Sequence, residues 1–265
     1  MIKSNPVKAL WAAGKPAFGT WITLCPHPRV VKMLAVAGFD FVLIESEHTD
    51  FSMETIGMLA MYARECGITP IVRPSGTIKP HDLTRPLDAG AQGLLLPSID
   101  SASQLADIIK ATKYYPTGNR PMNLRGPHTD YHIAPPEQII AHLNRETLTI
   151  AMVESRKSID NLDEILRVDG LDGIMIGPDD LSQDLGVPGD LQAAILHEAY
   201  AEIFALCAKH GVPYGLSAQS PEMAASWVEK GCRWIPYQND AAMVFNTARA
   251  AVPQLHKVGG RAISQ

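Results

Sequence analysis

Short apolar runs of strand length alternate with amphipathic stretches of helical spacing along almost the whole chain. Phe18–Leu24 is an apolar, β-rich run that gives way to the loop Cys25-Pro26-His27-Pro28. Val30–Ala37 has helical spacing and stops at Gly38, and Phe39–Ile44 then reads as a second strand. Phe51–Glu65 carries an apolar Met, Leu and Tyr face and closes at Gly67, and Pro70–Val72 is a third strand ended by Arg73 and Pro74. Asp82–Leu87 predicts a short helix, Gly93–Leu96 a fourth strand and Ala102–Thr112 a further helix. Residues 114–135, rich in Pro, Gly, Asn, His and Tyr, read as a long loop on the strand-to-helix route. Loops of that length in a compact domain are usually functional or mobile.

The second half continues the alternation. Leu148–Val153 and Gly173–Ile176 are apolar runs that each end in acidic residues, with Ile159, Leu162, Ile165 and Leu166 at helical spacing between them. That is a strand–helix–strand unit of a parallel sheet. Leu191–His210 predicts a long helix, Pro213–Leu216 a strand, Pro221–Lys230 a helix, Arg233–Tyr237 a strand and Ala241–Val252 a closing helix. Strands and helices in this order predict an α/β fold, a (β/α)8 barrel. No repeat or linker divides the chain, so residues 1–265 are expected to form a single domain.

In a parallel barrel the carboxyl ends of the strands carry the site. Glu45, Glu47 and His48 follow the second predicted strand, Arg73 ends the third, Glu154 follows the fifth and Asp180 the sixth. Two carboxylates facing one mouth suit a hard divalent cation that keeps water or substrate as its other ligands, although strand-end acids are also common without one. A histidine can shuttle a proton near neutral pH, and an arginine can hold a carboxylate or a developing oxyanion. A Schiff-base aldolase would need a lysine within a strand. Lys79, Lys110, Lys113 and Lys157 instead fall in predicted loops or helices, which disfavours amine catalysis.

Composition narrows the partners. A net charge of −5 over 265 residues leaves no basic stripe for nucleic acid. No apolar run approaches the length that spans a bilayer. The amino-terminal stretch has no apolar core like that of a signal peptide, and Cys25, Cys66, Cys207 and Cys232 show no paired spacing. The expectation is a cytoplasmic protein without disulfides, structural zinc or a membrane partner.

Several motifs in order carry a resemblance. They are Gly19-Thr20-Trp21, Ala37-Gly38-Phe39-Asp40, Glu47-His48, Val72-Arg73-Pro74, Leu87-Asp88-Ala89-Gly90 and Tyr115-Pro116-x-Gly118, then Val153-Glu154-Ser155-Arg156 and Gly177-Pro178-Asp179-Asp180-Leu181-Ser182. From about Phe18 to Val252 the chain resembles the HpcH/HpaI family of metal-dependent pyruvate aldolases. The resemblance implies a barrel of the phosphoenolpyruvate/pyruvate-domain type. It also implies reversible cleavage of a 4-hydroxy-2-oxo acid to pyruvate and an aldehyde through a metal-stabilised enolate. Glu154 and Asp180 match the metal ligands, with Mg²⁺, Mn²⁺ or Co²⁺ as the implied ion and no organic cofactor. Arg73 matches the arginine on the keto and enolate oxygen, His48 the proton-transfer histidine, and Asp88 its aspartate partner from a neighbouring subunit. The amides of Asp179 and Asp180, opening a helix after Pro178, match those that receive the pyruvate carboxylate, a role a helix N-terminus favours. Leu216, Ser217 and the 114–135 loop are expected at the aldehyde pocket, and a hexamer or trimer of dimers that exchanges its last helix is implied.

The chain departs from that family in places. Its usual Asp-Gly-Glu-His is Glu45-Ser46-Glu47-His48, its Gln-x-Glu is Met152-Val153-Glu154, its Gly-Pro-Ala-Asp is Gly177-Pro178-Asp179-Asp180, and its Gly-x-Arg-Gly is Gly118-Asn119-Arg120-Pro121. Glu45, Glu47 and Met152 are expected to surround the metal and arginine. Two other readings stay open from sequence: a CoA-dependent citrate/malyl-type lyase and a non-catalytic barrel that binds 2-oxo acids.

Overall fold

A computed structural model describes residues 1–76 and 80–259. Helix α1 (Pro6–Ala12) precedes strand β1 (Ala17–Ile22). Next come α2 (Arg29–Ala37), β2 (Phe41–Glu45), α3 (Met53–Cys66), β3 (Thr69–Arg73), α4 (Pro80–Asp88), β4 (Gly93–Leu96) and α5 (Ala102–Thr112). The chain continues with α6 (Pro136–Glu146), β5 (Leu148–Val153), α7 (Arg156–Asp160), α8 (Leu162–Ile165), β6 (Gly173–Ile176), α9 (Pro178–Asp184) and α10 (Ala194–His210). It ends with β7 (Tyr214–Leu216), α11 (Pro221–Glu229), β8 (Trp234–Asn239) and α12 (Asp240–Val258). The eight strands are parallel, each pairs with its neighbour in sequence, and β8 closes on β1. This is the (β/α)8 barrel the hydrophobic pattern predicts.

Side-chain parity divides the core in two. Phe41, Leu43, Ile71, Leu95, Leu148, Ile150, Met152, Met175 and Trp234 fill the barrel interior. The alternate residues Val42, Ile44, Val72, Leu94, Leu96, Ala151 and Val153 pack outward against the helices. Trp234 stacks on Phe41 with ring centroids 4.6 Å apart. Room for the indole comes from Gly215 on β7, where a Cβ would collide with Trp234. At the strands' amino-terminal end α1 plugs the barrel: Val7 is fully buried, and the Trp11 indole N–H donates to the Arg233 carbonyl at 2.8 Å.

Sequence and structure part company in a few places. Helices α1 and α6 are absent from the sequence reading: α1 is seven residues long with one buried residue, and α6 follows directly on a polar loop and buries only Ile139 and Leu143. The helix expected between β5 and β6 is broken at Asn161 into α7 and α8. Residues 114–135 follow α5 and lead into α6 and β5, so they lie on the helix-to-strand side, at the end of the barrel opposite the mouth. There Asp130 accepts from Arg64 at 2.6 Å and from the Lys3 amide at 2.7 Å, and the Asn144 side chain accepts the Tyr114 N–H and donates to the Tyr114 carbonyl. The expectation that this loop lines the chain's own aldehyde pocket is therefore corrected.

No described strand contains a lysine. Lys110 lies on α5 and Lys157 on α7, and Lys79 falls outside the described residues. Lys113 is buried, but its ammonium donates to the carbonyls of Asn144 and Thr147, just before β5 and away from the mouth.

Candidate active site

The inward parity that builds the interior also builds the mouth. On β2 the inward series Phe41, Leu43 continues to Glu45, on β3 Ile71 continues to Arg73, and on β5 Ile150 and Met152 continue to Glu154. Each chemical residue stands one step above an apolar layer that fixes its backbone. A cavity of about 650 Å³ opens over this layer, and Glu45, His48, Arg73, Met152, Asp179 and Asp180 are among the residues that line it.

Arg73 is held on every side. Its Nε donates to Glu45 Oε2 at 2.6 Å, its Nη2 pairs with the same oxygen, and Glu47 Oε2 lies 3.3 Å from Nε. The guanidinium sits over the Trp21 ring, 4.8 Å from the centroid, and Nη1 faces Met152 Sδ at 4.0 Å. Glu45, which is 2% exposed, uses its other oxygen to accept the backbone N–H groups of Glu47 at 2.6 Å and His48 at 3.2 Å. One carboxylate thus folds the loop after β2 and fixes the arginine.

Glu154 is held from the opposite wall. Its Oε1 accepts the Ser98 N–H at 2.5 Å and the Ser98 hydroxyl at 3.3 Å. Ser98 adopts φ 55°, a left-handed conformation costly for a non-glycine residue, and that conformation accompanies the bond to Glu154. The second oxygen faces Gly177, where a Cβ would come within 2.7 Å of it. Burial pushes the Glu154 carboxyl above its usual range, and the Asp180 and Glu47 carboxylates push it further. Burial likewise raises Glu47, with Arg73 and His48 opposing and Glu45 and Asp180 adding to the rise.

These oxygens fit a hard divalent cation. Glu154, Asp180 and Glu47 repel one another in a half-buried mouth, and a dication relieves that repulsion. Among the described residues no three His, Cys, Asp or Glu side chains converge as a complete ligand set. Two carboxylates with open positions match a site completed by water or substrate.

The structure brings Glu45, Glu47, Arg73, Met152, Glu154 and Asp180 together, with Leu216 and Ser217 on the same cavity wall. His48 stands at the rim, its side chain 66% exposed and its Nε2 3.8 Å from Glu47. Asp88 is elsewhere. It ends α4, pairs with the Arg120 guanidinium, and offers its carbonyl to His128 at 3.2 Å, beside the loop that lies opposite the mouth. Within one chain Asp88 forms no hydrogen bond or ion pair with His48. Sequence reasoning missed Trp21 and Ser98 as parts of the site. Inward parity two residues beyond Gly19 could have found Trp21, whereas Ser98 has no signal beyond its place just past β4.

Residues 18–245 match the family model described as HpcH/HpaI aldolase/citrate lyase. The chain is 33% identical over 247 residues to a hydroxypyruvate/pyruvate aldolase of Roseovarius nubinhibens, covering 93% of this chain and 95% of that one. It is 30% identical over 246 residues to a 4-hydroxy-2-oxo-heptane-1,7-dioate aldolase of Shigella sonnei, covering 93% of both. The crystal structure of an HpcH/HpaI aldolase from Desulfitobacterium hafniense superimposes with a TM-score of 0.90 at 28% identity, covering 94% of this chain and 96% of that one. The chain belongs to the HpcH/HpaI aldolase/citrate lyase family, and it is a carbon–carbon lyase.

Proposed function

We propose that the enzyme is a class II pyruvate aldolase that reversibly cleaves a 4-hydroxy-2-oxo acid into pyruvate and an aldehyde. The observation that carries this reading is the convergence of a clamped arginine and an acidic cluster on one mouth. Glu154 and Asp180 would hold the divalent cation, which supplies Lewis-acid polarisation of the 2-oxo group.

The chain's own residues then have distinct tasks. The Asp179 and Asp180 amides, opening α9 beside Gly177, receive the substrate carboxylate. Arg73, unable to swing away from Glu45 and Trp21, donates to the 2-oxo oxygen and to the enolate oxygen that replaces it. His48, relayed through a water and paired with Asp88 of a second copy, takes the proton from the 4-hydroxyl group. The C3–C4 bond breaks, its electron pair passes to the enolate, the aldehyde departs, and protonation at C3 gives pyruvate. Leu216 and Ser217 border the departing aldehyde. A homo-oligomer accompanies this reading, because α12 leaves Val244, Phe245, Leu255 and Val258 exposed for another subunit to cover.

The test is exchange of the pyruvate methyl protons in D₂O, followed by NMR with Mg²⁺ and with chelator. Enolisation is the half-reaction common to every aldehyde partner. Metal-dependent exchange that disappears in Glu154→Ala and Arg73→Ala is the expected result. No exchange with any divalent ion would overturn the assignment.

A further inference from the structure

The cavity does not end over the strands. Met223, Ser226, Trp227 and Lys230 line it from one face of α11 and its carboxyl end, at the spacing i, i+3, i+4 and i+7. Tyr200 of α10 lines the facing wall. Seven helical residues rise about 10 Å, so this arm of the cavity is longer than a three- or four-carbon aldehyde.

The arm has its own chemistry. Tyr200 and Trp227 meet edge to face with centroids 6.1 Å apart, and Met223 lies on the same face of α11. The Trp227 side chain is only 7% exposed, and its indole N–H is buried without an acceptor among the described residues. The Lys230 ammonium lies over the same ring, 4.6 Å from its centroid, and forms no ion pair among the described residues. The far end therefore offers the Lys230 cation over an aromatic face, whereas the near end offers Asp179. Burial and the Asp179 carboxylate push the Tyr200 hydroxyl up to about 12, so it stays neutral.

We infer that this arm is the binding site for the distal part of the aldehyde partner, a planar, largely apolar body carrying a terminal carboxylate that reaches Lys230. The body lies along Tyr200, Met223 and Trp227, and the carboxylate replaces water at the ammonium. This inference rests on the aldolase reading for the reactive end and on the arm's own residues for the distal end.

Two measurements on the full-length protein test it. Calorimetric binding of 4-(hydroxymethyl)cinnamate, an unreactive stand-in for the long aldehyde, is compared between the parent protein, Lys230→Met and, as a control, the exposed Lys15→Met. The ratio of kcat/KM for 4-formylcinnamate to that for acetaldehyde, with pyruvate, is compared in the same proteins. Binding and ratio should each fall at least tenfold in Lys230→Met alone. Absent binding, or equal binding in all three proteins, would overturn the arm even if the parent protein exchanges pyruvate protons. Binding that depends on Lys230 without pyruvate exchange would uphold the arm and overturn the aldolase reading instead.

Discussion

Glu45 and Arg73 are register partners in the β2–β3 ladder, and their side chains meet on the barrel's inward face above Leu43 and Ile71. The pair is nearly dry, with side chains 2% and 12% exposed. Removing one partner of such a pair strands the other charge. Glu45→Gln keeps the shape and removes the charge. It also leaves one amide oxygen to serve both the guanidinium and the Glu47 and His48 N–H groups. We expect kcat for aldol cleavage to fall about 100-fold and stability to drop by about 3 kcal/mol. Steady-state kinetics and urea unfolding measure the two. Unchanged kcat in a folded Glu45→Gln protein would show that the clamp does not position Arg73.

Gly177 leaves space for a carboxylate oxygen. Its φ of −93° is open to any residue, so an alanine there meets no backbone strain. The new methyl would instead approach Glu154 Oε2 at 2.7 Å and Met152 Cε at 3.2 Å. Gly177→Ala is therefore expected to displace the carboxylate without unfolding the barrel. Mn²⁺ affinity, followed by electron paramagnetic resonance, should weaken about 10–100-fold. Wild-type affinity in this variant would remove Glu154 from the metal site.

Much of this was legible because the barrel repeats one rule. Runs such as Phe41–Ile44 and Ile150–Val153 announce strands buried on both faces, and parity then carries Glu45, Arg73 and Glu154 to the mouth. The Glu45–Arg73 ladder partnership follows from strand register, which composition does not reveal. The same rule says nothing about helix-to-helix space. The facing of Tyr200 and Trp227 depends on how α10 and α11 pack. The side of the barrel taken by residues 114–135 depends on α6, an amphipathic helix that the sequence reading passes over beside the polar loop. Asp88 illustrates a different limit, since its partners Arg120 and His128 lie 32 and 40 residues away and belong to that same loop.

Helix α12 tests the expected assembly. Only Asp240 is buried along it, where its carboxylate accepts the backbone N–H groups of Thr23 and Cys25 at 2.9 and 2.8 Å. Phe245 is 62% exposed and Leu255 66% exposed, a burden for a helix that faces water. Phe245→Glu with Leu255→Glu adds charge where another subunit would have to bury it. Light scattering after size exclusion is expected to show an oligomer for the parent protein and a smaller particle for the variant, with unchanged circular dichroism. An oligomer of unchanged mass would place its contacts elsewhere.

Lys113 gives the fold a distinctive response to alkali. It is 3% exposed, its ammonium bonds only to the Asn144 and Thr147 carbonyls, and burial pushes it down to about 8 from an ordinary 10.5. Between those values the unfolded chain holds a proton that the folded chain has released, so stability rises with pH. The window closes near pH 9. There the buried thiols of Cys207 and Cys232, pushed up to about 12, keep protons in the folded state that the unfolded chain loses, which reverses the slope. From pH 8 to pH 9 the unfolding free energy in urea should therefore rise by about 1 kcal/mol relative to that of Lys113→Met, because both proteins share the opposing thiol contribution. The methionine variant also strands two buried carbonyls, so it should be less stable than the parent at pH 9, by about 1–3 kcal/mol. An identical pH slope in both proteins would mean that Lys113 stays charged in the folded barrel throughout this range, with the carbonyls of Asn144 and Thr147 and the nearby Asp172 carboxylate compensating fully for its burial.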